Sequence, residues 1–118
     1  MCSNRVTYIP YERSIMNELT KKTYETWKSA KLKDENLIAG LAAIENDEDA
    51  INDRFYKELA FGTGGLRGVL GVGSNRMNIY TVGKASRGLA NYINSISKTP
   101  KIAISYDSRH NSELFAKW

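Results

Sequence analysis

The sequence has few of the residues on which disulfide-stabilised or metal-binding folds depend. It contains one cysteine, Cys2, and one histidine, His110. A single cysteine cannot form an internal disulfide, so a disulfide-stabilised secreted fold is not indicated. A single histidine cannot form a histidine-based metal cluster. We therefore expect a protein of a reducing compartment, with the cytoplasm as its location.

Long apolar runs and runs of like charge are also missing. No stretch approaches the roughly 20 apolar residues of a membrane span, and residues 1–10 lack the apolar centre of a signal peptide. The net charge of +4, from 17 basic and 13 acidic residues, is mild. The basic residues are scattered, and their densest stretch, 21–33, contains acidic residues as a solvated helix face does. Neither membrane nor nucleic-acid binding is expected.

Glycine, by contrast, is concentrated in the segment FGTGGLRG at 61–68, which has four glycines and one arginine. Glycines permit positive φ and let backbone N–H groups approach an anion, and a guanidinium can bind phosphate oxygens with two parallel hydrogen bonds. The Lys-Ser/Thr pair of a Walker loop and the G-x-G-x-x-G spacing are both absent, so nucleotide binding is not indicated. The segment predicts a phosphate site, with a plain helix-to-strand turn as the alternative.

The pattern of apolar residues predicts mainly helices, followed by alternating β and α elements. Helices capped at Asp34 and starting at Asp47 are favoured by an acidic residue at the N-terminus. For the acidic patch that begins at Asp47, a helix start is a simpler explanation than a divalent-ion site. An α/β layered domain follows from this order. The predicted helices are 14–31, 35–45, one starting at 47, 81 to before Pro100, and one from 112, and the predicted extended pieces are 66–70, 77–80 and 101–106. The expected apolar faces include Leu19 and Trp27 in the first helix, Leu37 and Ile38 in the second, and Ile51 and Phe55 in the third.

Three ordered motifs, FGTGGLRG at 61–68, GVGSNRMN at 71–78 and IAISYDSR at 102–109, closely resemble the N-terminal domain of the α-D-phosphohexomutases. The phosphoglucomutase and phosphomannomutase branch is the nearest. The resemblance implies an incomplete α/β fold, the three-layer αβα domain I of the phosphohexomutase type, with a helical N-terminal arm. It also implies two parts: residues 1–59, an extension that packs on the domain, and residues 60–118, the first part of domain I.

The resemblance further implies roles for particular residues. Arg67 lies where the family has an arginine that faces the cleft and the bound phosphosugar. The alternative for Arg67 is a surface arginine paired with a carboxylate. In the Asp-x-Arg turn, an Asp–Arg pair is expected to hold the backbone. The implied substrate-binding residues are Arg67, Thr63, Gly64 and Gly65, and the implied structural supports of the site are Asp107, Arg109, Arg76 and Asn78.

The implied parent enzyme interconverts hexose 1-phosphate and hexose 6-phosphate through a phosphoserine and a bisphosphorylated sugar. It would use Mg²⁺ and glucose 1,6-bisphosphate, and its partners would be a phosphosugar and the enzyme's remaining domains. The family's phosphoserine loop, Thr-Ala-Ser-His-Asn-Pro, and its magnesium loop, Asp-Gly-Asp-x-Asp-Arg, do not occur in this sequence. No catalytic residue or metal ligand is therefore assigned, and Ser108 is not taken as the nucleophile.

Two further expectations concern the chain as it is given. The helix pattern from 112 stops after about two turns, so we expect a truncated, inactive piece of the parent. One alternative is a phosphosugar-binding or phosphate-binding module without catalysis. The other is a fragment whose unpaired strand edges recruit another chain.

Overall fold

The computed structural model describes residues 16–118, a part of the chain that consists mainly of helices. Residues 1–15, which include Cys2 and the beginning of the first predicted helix, lie outside the described residues. Within 16–118, no helix has the length and apolar character needed to cross a membrane. The elements are α1 Glu18–Ser29, α2 Glu35–Ala43, α3 Glu48–Phe55, β1 Phe61–Gly62, β2 Gly65–Leu66, α4 Ile79–Ile96 and α5 Ser112–Lys117.

Side-chain caps explain where the second and third helices begin. The Asp34 carboxylate accepts hydrogen bonds from the backbone N–H groups of Asn36 at 2.9 Å and Leu37 at 3.4 Å. The Asp47 carboxylate accepts one from the N–H of Ala50 at 3.0 Å. These N–H groups have no partner within the helix, so a capping oxygen satisfies them. Both predicted helix starts are confirmed.

One buried cluster joins the first three helices to the loop at 71–78 and to the start of α4. Phe55, only 2% exposed, lies at its centre and meets the rings of Tyr24 and Trp27 edge-on, with centroids 5.5 and 5.8 Å apart. The core therefore spans the predicted boundary between 1–59 and 60–118, and that division stays a prediction. The cluster consists of Tyr24, Leu37, Leu41, Ile44, Ile51, Phe55, Val72 and Ile79.

The face that α1 buries matches the predicted one only in part, because Trp27 packs against the core as expected but other positions differ. Leu19, expected in the apolar stripe, is 65% exposed, whereas Thr20 and Tyr24 are buried. The predicted burial of Ile38 is also wrong, because Ile38 is exposed while the neighbouring Leu37 is buried. The reason is geometric: a short helix packed on one side buries a single i, i+4 stripe, and residues one position away lie about 100° around the axis.

Of the extended pieces predicted around the glycine turn, Leu66 belongs to β2, and the others make only a local pairing. Leu70 and Met77 form a single isolated bridge, and the Met77 N–H donates to the Val69 carbonyl at 2.8 Å. The prediction of an extended piece at 77–80 is wrong from Ile79 onward, where α4 begins two residues earlier than position 81. α4 ends at Ile96, before Pro100, as predicted.

The strand predicted over 101–106 is not formed in the described chain. These residues belong to no helix and pair with no other described segment. The prediction is wrong here for a physical reason: a β-strand exists only as part of a hydrogen-bonded ladder. The only sheet in 16–118 is the hairpin of β1 and β2.

Candidate functional site

The glycine-rich segment folds into a tight β-hairpin rather than a plain helix-to-strand turn. Gly65 has φ of 117°, a conformation that side-chain-bearing residues rarely adopt, so glycine is required there. A local conformational demand therefore explains one of the four glycines. The ladder pairs Phe61 with Leu66 and Gly62 with Gly65.

Arg67, directly after the hairpin, folds back towards its tip. The Nη2 atom lies 3.2 Å from the position that a Cβ on Gly64 would occupy. A side chain at position 64 would therefore displace the guanidinium. Arg67, Thr63 and Gly64 are all exposed, and among residues 16–118 no carboxylate forms an ion pair with Arg67. The structure thus brings the four predicted binding residues together, with a cation over the hairpin tip.

A groove of about 780 Å³ runs beside the hairpin, between α1 and α4. Phe61 and Leu66 line it from the hairpin, and Tyr80 and Leu89 line it from α4. Its walls are mostly apolar, and Arg67 is not among the lining residues. The groove and the Arg67 guanidinium are therefore separate features of the described chain.

Arg76, one of the predicted supports, ties the loop at 71–78 to α3. The side chain is buried and forms an ion pair with the Asp53 carboxylate. Its Nη1 also donates to the carbonyl of Asn75 at 3.0 Å. The role of Asp53 was not predicted from the sequence, because a carboxylate 23 residues away on another element produces no local sequence signal.

Asn78 holds the same loop from inside and also begins α4. Its Nδ2 donates to the carbonyls of Gly71 at 2.9 Å and Gly73 at 3.0 Å. Its Oδ1 accepts from the backbone N–H groups of Tyr80 and Thr81, both at 3.1 Å. The Thr81 hydroxyl accepts in return from the Asn78 N–H at 3.0 Å, which completes a capping box. Asn78 thus connects the loop to the helix through its own side chain.

Asp107 and Arg109 form a closed corner in front of α5. The Arg109 side chain donates to one Asp107 oxygen at 2.8 Å, and the Arg109 backbone N–H donates to the other at 3.0 Å. The Ser112 hydroxyl adds a third bond, at 2.9 Å. Ser112 was predicted only as the start of a helix, and its contact with Asp107 was not predicted. The geometry is that of an Asp–Arg pair holding its own backbone.

The hydrogen bonds to Asp107 have a consequence for its titration. The Arg109 backbone N–H, the Ser112 hydroxyl and the Arg109 side chain all favour the ionised form and hold the pKa of Asp107 below its ordinary value. The bonds are therefore intact above the ordinary aspartate pKa and are lost as the pH falls through the lowered one. A ¹³C NMR titration of the Asp107 carboxyl carbon should show a midpoint below that of a free aspartate.

Substitution separates the donors in this titration. Ser112→Ala removes one donor and should move the Asp107 midpoint upward, whereas Ser108→Ala should leave the midpoint unchanged, because no hydrogen bond joins Ser108 to Asp107. Equal midpoints in the wild type and in Ser112→Ala would contradict this account of the corner.

No hydrogen bond or ion pair within 16–118 links the hairpin to the corner at 107–109. Neither part of the described chain provides a metal site, since residues 16–118 contain no cluster of three His, Cys, Asp or Glu side chains that could hold a metal ion. In the acidic patch, Asp47 serves as the cap of α3. Arg67 leaves an exposed cation at the hairpin tip, and a guanidinium is chemically able to bind an anion.

Comparison with known proteins adds a family to this geometry. Residues 58–118 match the family described as phosphoglucomutase/phosphomannomutase, alpha/beta/alpha domain I. This description confirms the predicted α/β fold class. The matched range contains the hairpin, Arg67 and the corner at 107–109, but not α1 to α3.

Several curated proteins are similar over a larger part of the chain. A phosphoglucomutase of Staphylococcus haemolyticus (strain JCSC1435) is 40% identical over 87 residues, covering 73% of this chain and 16% of that protein. A phosphoglucomutase of Staphylococcus aureus (strain bovine RF122 / ET3-1) is 46% identical over 65 residues, covering 55% and 12%. The chain thus spans less than a fifth of the length of these relatives. No solved structure matches the chain.

Proposed function

Because this chain belongs to the phosphoglucomutase/phosphomannomutase family through its alpha/beta/alpha domain I, we propose that it is the N-terminal part of a phosphohexomutase. The parent enzyme would interconvert hexose 1-phosphate and hexose 6-phosphate through a phosphoserine and a bisphosphorylated sugar intermediate. The relatives named phosphoglucomutase support glucose as the hexose. The single cysteine supports a cytoplasmic location.

The observation that carries the proposal is the position of Arg67 over the hairpin tip. A sugar phosphate bears close to two negative charges near neutral pH. The Arg67 guanidinium can donate two parallel hydrogen bonds to two oxygens of the phosphate. Gly64 has no side chain and so leaves room for the guanidinium at the hairpin tip. Thr63 can add a hydroxyl donor at the exposed tip. In this role the chain binds and orients a phosphate group of the substrate.

Several parts of the reaction are assigned to polypeptide outside this chain. Phosphoryl transfer depends on positioning and on neutralising negative charge, which a divalent cation such as Mg²⁺ supplies when it is bound. The described residues do not offer the donors for such an ion, because no suitable carboxylate cluster exists in 16–118. The nucleophilic serine, the acid and base groups and the magnesium ligands would therefore come from the parent's other segments.

Binding of glucose 1,6-bisphosphate to the 118-residue chain tests the role of Arg67. Isothermal titration should give saturable binding, and Arg67→Ala should weaken the affinity roughly 10- to 100-fold, as expected for the loss of a charge-assisted bidentate contact. Arg67→Lys should fall in between, since an ammonium keeps the charge but loses the planar pair of donors.

Arg87→Ala is the matched control for this titration. Arg87 is likewise exposed but lies on α4, so its removal changes the net charge by the same amount without touching the hairpin. If Arg87→Ala weakens binding as much as Arg67→Ala does, the attraction is only a general charge effect and the site is not at the hairpin.

The mutase proposal and a non-catalytic phosphosugar-binding module differ in what accompanies this chain. The module is a candidate because the described residues combine an available cation with no metal-binding cluster. Both hypotheses predict no turnover in a coupled mutase assay of the 118-residue chain. Only the mutase hypothesis predicts that the open reading frame continues past the Trp118 codon and encodes a Thr-Ala-Ser-His-Asn-Pro loop. Transcript sequencing decides between them, and turnover by the pure chain would refute both.

A further inference from the structure

Ser74, a buried residue of the loop at 71–78, holds the segment that leads into the hairpin. Its hydroxyl donates a hydrogen bond to the Lys57 carbonyl at 2.8 Å. Its own carbonyl accepts one from the Leu59 N–H, also at 2.8 Å. Among residues 16–118, no other side chain makes a hydrogen bond to the backbone of 57–60. Ser74 thus binds the chain just before Phe61, where β1 begins.

The segment that leaves the hairpin is attached to the same loop. The Met77 N–H donates to the Val69 carbonyl at 2.8 Å, and the Gly71 N–H donates to the Met77 carbonyl at 3.2 Å. The loop is in turn attached to the end of α3, because the Asn75 N–H donates to the Arg54 carbonyl at 2.9 Å. Both ends of the hairpin are therefore connected by hydrogen bonds to one loop, which α3 holds.

Leu59 connects the residue that Ser74 binds with the base of Arg67. A Cβ added to Gly68 would lie 2.7 Å from the Leu59 Cδ1, so the Leu59 side chain packs directly against the residue that follows Arg67. A shift of the Leu59 backbone would therefore move the chain beside Arg67. Groups that bind a ligand must be held within about 0.5 Å of their productive position by the residues that support them. The hydrogen bonds of Ser74 are suited to that task.

We propose that Ser74 is a positioning residue of the phosphate site, whose hydroxyl fixes the entry segment of the hairpin and thereby the Arg67 guanidinium. Ser74 does not touch the phosphate, because it acts through Leu59 and the hairpin. The inference rests on the proposed function, since only an anion bound at Arg67 makes the guanidinium position matter for affinity. The contacts that carry it all lie within residues 54–77.

Isothermal titration of the full 118-residue chain with glucose 1,6-bisphosphate tests this role. Ser74→Ala removes the hydroxyl, so that only a fraction of the molecules hold Arg67 in place, and the affinity should fall by that fraction, roughly 3- to 10-fold. Ser74→Thr keeps a hydroxyl and should bind as the wild type does. Circular dichroism verifies that each variant retains its helix content.

Asn17→Ala is the control for a purely structural effect. Asn17 caps α1 through a hydrogen bond to the Leu19 N–H and makes no hydrogen bond to the hairpin. This variant should therefore lose stability but keep the wild-type affinity. If Ser74→Ala and Asn17→Ala weaken binding equally, a general loss of stability explains the effect and the positioning role is wrong.

An NMR measurement without ligand tests the same geometry. The wild type should show a nuclear Overhauser effect between the Leu59 methyl protons and the Gly68 α-protons, because these groups are in contact. The effect should weaken in Ser74→Ala and persist in Ser74→Thr. An undiminished effect in Ser74→Ala would overturn the proposal.

The titration also separates failure of this proposal from failure of the proposed function. A wild-type chain that shows no saturable binding would refute the proposed function and, with it, the role of Ser74. Binding that Arg67→Ala weakens but Ser74→Ala leaves unchanged would overturn the role of Ser74 alone.

Discussion

Gly73→Ala is expected to lower the free energy of unfolding by about 3 to 5 kcal/mol, because it combines backbone strain with a clash. Gly73 has φ of 134°, and an added Cβ would lie 2.5 Å from the carbonyl oxygen of Arg54 and 2.8 Å from the Arg54 Cβ. Neither obstacle is the end of a flexible side chain, so the loop or the end of α3 must move. Urea denaturation followed by circular dichroism measures the loss.

Gly88→Ala serves as the matched control for this substitution. Gly88 lies within α4, and an added Cβ there would meet no atom within 4 Å. Alanine is the better helix former, so this variant should be more stable by about 0.5 to 1 kcal/mol. A Gly73→Ala protein as stable as the wild type would mean that the loop does not pack closely on α3.

Asn78→Ala is expected to lower the free energy of unfolding by about 2 to 4 kcal/mol. The substitution removes the N-cap of α4 and leaves the carbonyls of Gly71 and Gly73 without their side-chain donor. A lost cap costs about 1 kcal/mol, and each polar group left unsatisfied in a buried site costs about 1 to 3 kcal/mol unless water reaches it. The same denaturation experiment measures the change.

Asn17→Ala is a suitable comparison, because Asn17 also caps a helix but does so at an exposed site. Its Oδ1 accepts one hydrogen bond, from the Leu19 N–H at 3.1 Å. The expected loss for Asn17→Ala is about 0.5 to 1 kcal/mol. If the two asparagine variants lose the same amount, the bonds from Asn78 to the loop carbonyls add nothing to stability.

Features that depend on neighbours along the chain could be predicted from the sequence. The caps Asp34 and Asp47 are examples, because a capping carboxylate binds N–H groups two or three residues away. The apolar repeat of α3 is another, with Ile51 and Phe55 buried as predicted. The need for glycine at position 65 is likewise a local property of the backbone.

Features that depend on distant partners could not be predicted in the same way. The strand at 101–106 has the right composition, but a strand also requires a neighbouring strand, which the described chain does not supply. The ion pair between Arg76 and Asp53 joins two elements far apart in sequence. In the candidate site, the motif located Arg67, but only the coordinates show that its guanidinium lies over Gly64.

If the hairpin tip and Arg67 bind a sugar phosphate, ¹⁵N NMR of the labelled chain titrated with glucose 1,6-bisphosphate will report the binding at individual residues. The amide signals of Thr63, Gly64 and Gly65 and the side-chain signal of Arg67 should shift together and saturate with one dissociation constant. Signals of the lysine-rich helix α1 should move little. Shifts confined to α1, or no saturable shift at the hairpin, would contradict binding at this site.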